Sequence, residues 1–222
     1  MTNKEQILAR IRQALKRESP EPHWLHEPVG DGPDFPLPAG DSQSLLVAFQ
    51  AELQSLFGEV HSFASVEEGN RWLRDENFPT IFAPECERLK PVLFGVPGVT
   101  WIQKDNPTRK GWEDFACGVT PTVCLAAESG SVIVAADVSG RAMSVLPPVH
   151  VVVATMDQLL TDLDAAVKFV RKRYGDQLPS TLSVVTGPSR TADIEKILVL
   201  GAHGPKRLVV LMLPEGSLPP LD

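Results

Sequence analysis

Residues Val149–Ala154 form an almost continuous apolar, largely β-branched run, Val-His-Val-Val-Val-Ala. A strand with one wet face alternates apolar and polar side chains, so a run without that alternation has to be covered on both sides. Two further runs, Leu182–Val185 and Arg207–Leu213, read as buried strands of the same sheet. The segments between them carry helical signals. Ser42 is a plausible N-cap for a helix whose buried stripe is Leu45, Leu46, Phe49, Leu53, Leu56 and Phe57, with Gly58 ending it. Ser65-Val66-Glu67-Glu68 reads as a capping box opening a second, short helix. Thr155-Met156-Asp157-Gln158 reads as another, with Leu159, Leu160, Leu163, Val167 and Val170 inward and a stop near Gly175. Short β-prone runs fall at Thr80–Ala83, Pro91–Phe94 and Val99–Ile102. Val123–Ala127 and Ser131–Ala135 are separated by Glu128-Ser129-Gly130, a spacing that predicts a hairpin with Gly130 at positive φ. Strands alternating with helices in this way predict an α/β sheet with helices on both faces.

The first residues are different. Ile7, Leu8, Ile11 and Leu15 recur at helical spacing, and Lys4, Arg10, Arg12, Lys16 and Arg17 face a single acid, Glu5. An amphipathic basic helix over residues 1–18 follows, either docking on the body or a second subunit, or binding a partner or membrane surface. Residues 19–41 contain Pro20, Pro22, Pro28, Pro33, Pro36 and Pro38, which predicts an extended linker. The body is assigned to residues 42–222. The net charge of −7 over 222 residues argues against non-specific nucleic-acid binding. No apolar run reaches the roughly 20 residues of a membrane span, and no signal-peptide core precedes the body, so a cytoplasmic location is expected. Three cysteines at irregular spacing (Cys86, Cys117, Cys124) fit a reducing compartment and contain no CxxC pair.

Chemistry concentrates in two Gly-Pro segments and one turn. In Gly187-Pro188-Ser189-Arg190-Thr191-Ala192-Asp193, Gly187 allows a sharp turn and Pro188 stops the preceding strand. Ser189 or Thr191 can cap a following helix, whose free N–H groups favour an anion, while Arg190 offers a planar fork of donors. The plainer alternative is a capped connection in which Arg190 pairs with Asp193 or Glu195. His203 lies in Gly201-Ala202-His203-Gly204-Pro205, where it can exchange a proton with a ligand or simply satisfy loop carbonyls. Glu128 is a candidate nucleophile or general acid/base, or else a solvated turn acid. Ser129 and Ser131 can bind a ligand or cap local backbone. Arg141, in Gly140-Arg141-Ala142-Met143-Ser144, can hold an anion or form an ordinary surface ion pair. The histidines show no metal-ligand spacing, so no metal site is expected.

These segments together resemble the LUD domain family, and within it the lactate utilization protein C group. The motifs are Gly118-Val119-Thr120, Ala127-Glu128-Ser129-Gly130-Ser131, Arg141-Ala142-Met143-Ser144 with Leu146-Pro147, Gly187–Glu195 and Gly201–Pro205. The resemblance covers residues 45 to about 213. It implies a NagB/RpiA/CoA-transferase-like fold, with a mixed, mostly parallel sheet. It further implies a subunit supporting oxidation of L-lactate to pyruvate beside two other lactate-utilization proteins, with iron–sulfur clusters on those partners and no cofactor of its own. On that footing Glu128 and His203 are candidate catalytic residues. Ser129, Gly130, Arg141, Gly187, Ser189, Arg190, Thr191, Asp193 and Gly204 are candidates to bind a small carboxylate or phosphate. Two alternatives remain: a stand-alone isomerase or acyl/CoA-transferase-like enzyme acting on a small anion, and a non-catalytic assembly or regulatory module.

Overall fold

The computed structural model describes residues 3–15, 41–103, 114–139, 142–175, 177–191, 199–200 and 204–221. The chain divides into two units, Met1–Pro36 and Leu37–Asp222. The first contains helix α1 (Asn3–Leu15), with Ile7, Leu8 and Ile11 exposed along one stripe.

The second unit is built on a six-stranded sheet in the order β1-β12-β7-β4-β2-β3. Its strands are β1 (Glu59–Ser62), β2 (Ile81–Pro84), β3 (Val99–Ile102), β4 (Cys117–Pro121), β7 (Val149–Thr155) and β12 (Arg207–Leu213), and every pair is parallel. On one face Ile81, Ala83, Val119, Val151, Val153, Val209, Leu211 and Leu213 pack under helices α3 (Val66–Glu76) and α4 (Lys90–Leu93). On the other, Val152, Ala154, Leu208, Val210 and Met212 meet helix α2 (Ser42–Ser55) and a second sheet. The β7 run is thus covered on both sides, as its composition demands.

The second sheet has the order β8-β5-β6-β9, with β5 (Cys124–Ala126), β6 (Ser131–Ala135), β8 (Leu159–Leu160) and β9 (Leu182–Val185). Its inner side shares the core with α2. Its outer side, with Cys124, Ala126, Ile133 and Ala135, packs on Ala166 and Val170 of helix α6 (Leu163–Tyr174). A four-residue helix α5 (Ala136–Ser139) leaves β6, and a two-stranded ribbon pairs β10 (Arg190–Thr191) with β11 (Val199–Leu200).

Several local expectations give way. Pro91–Phe94 is not a strand: Pro91 sits in the first turn of α4, where its missing N–H costs no helical bond. Asp41, not Ser42, caps α2, its Oδ1 accepting from Ser44 N at 2.8 Å. Gln158 Oε1 does accept from Thr155 N at 2.9 Å, but the turn it closes is a single 3-10 turn that runs into β8. The long helix begins later, capped by Asp162, and Leu163 and Val167 point outward while Ala166 and Val170 are buried. Strand β9 is a sheet edge with Val184 largely exposed, not a fully buried strand. No helix among the described residues is long and apolar enough to cross a membrane.

Candidate functional site

The hairpin joining β5 to β6 is set by Gly130, at φ 60°. A Cβ there would stand 2.5 Å from Leu53 N, so the turn lies directly on the α2 backbone. From this turn a chain of hydroxyls leads inward. Ser129 Oγ and Ser131 Oγ are 2.8 Å apart, and Ser131 Oγ is 2.8 Å from Thr186 Oγ1. Ser131, the middle of the three, is almost fully buried, while Ser129 and Thr186 at the two ends are half-buried. The Glu128 backbone N–H donates to Thr161 O at 2.9 Å, which fixes the turn, and the residue is half-buried.

Thr186 leads into Gly187, whose φ is 106° and whose added Cβ would stand 2.9 Å from Leu56 O. Only glycine lets the end of β9 come this close to the end of α2. Ser189 N then donates to Pro205 O at 2.8 Å, and Gly204, at φ 141°, would place a Cβ 3.0 Å from Ser189 Cβ and 3.9 Å from Val145 O. The segment 142–148 completes the seam: Pro148 O accepts from Lys206 N at 2.8 Å, and a Cβ on Gly118 would fall 2.4 Å from Met143 O. The turn at Glu128-Ser129-Gly130, the Gly187-Pro188-Ser189 segment, the Gly204-Pro205 segment and the 142–148 segment are therefore neighbours in space.

The segments at 142–148 and 204–206 lead into β7 and β12, at the amino ends of the parallel strands, whereas open α/β sheets usually take ligands at the carboxyl ends. The carboxyl ends are filled here by side chains. Buried Arg88 donates to Pro219 O (2.6 Å), Thr155 Oγ1 (2.7 Å) and Gln158 Oε1 (2.8 Å), and Gln158 Nε2 donates to Thr122 O at 2.6 Å. Beneath the 142–148 segment, His150 has no exposed surface and its Nε2 lies 2.8 Å from Thr120 Oγ1. Burial lowers its pKa to about 4, so the imidazole is neutral.

Ser129, Gly130, Gly187, Ser189 and Gly204 are thus brought together, and Arg190 follows directly on Ser189. Thr191 belongs to β10, so Arg190-Thr191 is extended and the helix expected to start here does not start at these residues. The residues that Thr191 would cap, 192–198, lie outside the described residues. Arg141, Asp193 and His203 lie outside the described residues. One residue of the seam was not expected at all. Phe57 takes φ 67°, is 58% exposed, and carries the Arg190 guanidinium over its ring with Cζ 6.0 Å from the centroid. In the sequence it reads as the last apolar residue of a helix stripe. The Cys117 and Cys124 thiols are both pushed up to about 12 by burial, so they stay protonated and behave as small buried hydrophobes. Among the described residues no group of three His, Cys, Asp or Glu side chains is placed to hold a metal.

Comparison with known proteins agrees with this architecture. A family model described as LUD domain matches residues 86–213, which takes in four of the six parallel strands and most of the seam. Lactate utilization protein C 1 of Bacillus mycoides is 34% identical over 95% of this chain and 97% of its own length. Lactate utilization protein C of Bacillus licheniformis is 29% identical over 60% of this chain, a match that spans 62% of that relative. The crystal structure of a DUF162 family protein from Deinococcus radiodurans shares the fold, with a TM-score of 0.61 over 79% of this chain and 99% of that one, at 19% identity. The chain belongs to the LUD domain family.

Proposed function

We propose that this chain is the C component of an L-lactate utilization system and supports oxidation of L-lactate to pyruvate beside two partner proteins that carry iron–sulfur clusters. The observation that carries this reading is kinship along nearly the whole length with a protein named lactate utilization protein C. The site chemistry is compatible with it. Arg190 supplies a cation suited to a carboxylate, and the Ser129–Ser131–Thr186 hydroxyls supply donors and acceptors that can pass a proton along a fixed chain. Glu128, in the turn that begins this hydroxyl chain, is the candidate proton-handling group.

Deletion of the gene is expected to abolish growth on L-lactate as sole carbon source, with wild type restoring it. Growth of the deletion strain at the wild-type rate would refute the reading. Restoration by wild type but not by Glu128→Gln would assign Glu128 a chemical role. Full restoration by Glu128→Gln and Arg190→Ala would make the chain an assembly module. Purified chain turning over a sugar phosphate or an acyl-CoA without partners would establish a stand-alone enzyme instead.

A further inference from the structure

Helix α2 ends in a double hydrogen bond, Gly58 N to Leu53 O at 2.9 Å and Phe57 N to Gln54 O at 3.0 Å. This is a Schellman closure, and it requires a left-handed residue at the position Phe57 occupies. Glycine is the usual occupant because a side chain there meets the following carbonyl. Here the glycine stands one residue later, at Gly58, and the phenylalanine takes φ 67°. A bulky residue at such a dihedral is an outlier, and strain of this kind collects at ligand clamps.

Burial does not explain the ring's presence. Phe57 is 58% exposed, so the fold gains little apolar burial in return for the strained backbone. What the ring does meet is a cation, the guanidinium of Arg190. Contact through the ring face leaves the N–H fork of arginine usable, and that fork matches the two oxygens of a carboxylate. Gly187 fixes the geometry from below, since its close approach to Leu56 O pins the chain carrying Arg190 to the helix end carrying Phe57.

We propose that Phe57 and Arg190 form a clamp for the carboxylate of a small organic acid. The guanidinium holds the two oxygens, and the ring orients the guanidinium and covers the apolar part of the acid. This names the ligand class of the site in the lactate-utilization reading and rests on that reading for the identity of the acid, but not for the clamp itself.

The test is calorimetric titration of the full chain with L-lactate, pyruvate and inorganic phosphate, paired with thermal unfolding. Wild type is expected to bind at least one of the two carboxylates more tightly than phosphate. Phe57→Gly relieves the backbone and is expected to raise Tm by roughly 2 °C while weakening carboxylate binding at least tenfold. Phe57→Leu keeps the strained backbone without the ring, and should weaken binding equally with no gain in Tm. Arg190→Lys, which keeps the charge but not the fork, should also weaken binding at least tenfold. Any of four results overturns the clamp: no carboxylate uptake by wild type at millimolar concentration, tighter binding of phosphate, wild-type affinity in either Phe57 variant, or a fall in Tm for Phe57→Gly. The pathway reading fails separately. A deletion strain that still grows on L-lactate sinks that reading and leaves the titration standing, whereas lost growth with an unchanged titration sinks the clamp alone.

Discussion

His150 shows how one residue inside an apolar run carries a pH dependence. It occupies the second position of β7 and is wholly buried; among the described residues its Nε2 is partnered by Thr120 and its Nδ1 is buried without a partner. Desolvation lowers its pKa from 6.5 to about 4. In the unfolded chain it takes up a proton as pH falls below 6.5, whereas the folded chain resists protonation down to about 4. Between these values the unfolded state holds more protons, so stability declines as pH falls, by up to about 3 kcal/mol from this group. Denaturant titrations from pH 7 to pH 4 should show that slope, and His150→Gln should flatten it. The sequence shows a lone histidine inside an apolar strand run. It did not foresee the strain of Phe57, because φ at a helix end is decided by which neighbour the next turn must meet.

At the level of elements, the hairpin and the helices differ in how readily they were legible. The hairpin rests on one glycine between two apolar runs, a local signal, and the structure reproduces it with Ala126 opposite Ser131. Gly130→Ala is expected to cost about 2 kcal/mol or more, from the left-handed backbone and from contact with the α2 backbone. Chemical denaturation would measure it; a loss below about 0.5 kcal/mol would contradict this account of the turn. Short apolar segments were less legible. Pro91–Phe94 is too short for periodicity to separate strand from helix, and packing of Val92 and Leu93 under the sheet decides for helix. Leu159-Leu160 carries a helical pattern in sequence, yet pairing with Leu125 and Ala126 makes it a strand. A free sheet edge outweighs a modest helix propensity.

At the scale of the body, residues 37–222, stability is uneven and should be measurable as such. Strands β4, β7 and β12 are flanked on both sides within the parallel sheet and buried on both faces, so their amides should exchange with the slow, global rate. The β10–β11 ribbon has two-residue strands and β9 is an edge, so their amides should exchange orders of magnitude faster. Native-state hydrogen exchange that protected β9 and the ribbon as strongly as β7 would overturn this ordering. The contrast has a functional side, because Ser189 lies between β9 and the ribbon and Arg190 opens the ribbon's first strand. A ligand held at Arg190 would order a region of low local stability, whereas Arg88 locks the carboxyl ends of the sheet into a rigid block.

The sequence by itself determined the α/β class, the doubly covered central strand, the hairpin at Gly130 and the glycine-bearing segments that meet at the seam. These follow from local chemistry: β-branched runs, positive-φ glycines and prolines that stop strands. The tertiary structure alone decided that the seam gathers segments leading into the parallel strands, that Arg190 is extended rather than at a helix start, and that Phe57 faces it. Such facts depend on which backbone approaches which across long sequence separations. A chain's local preferences do not encode that proximity; the packing of α2 against the hairpin and β9 creates it.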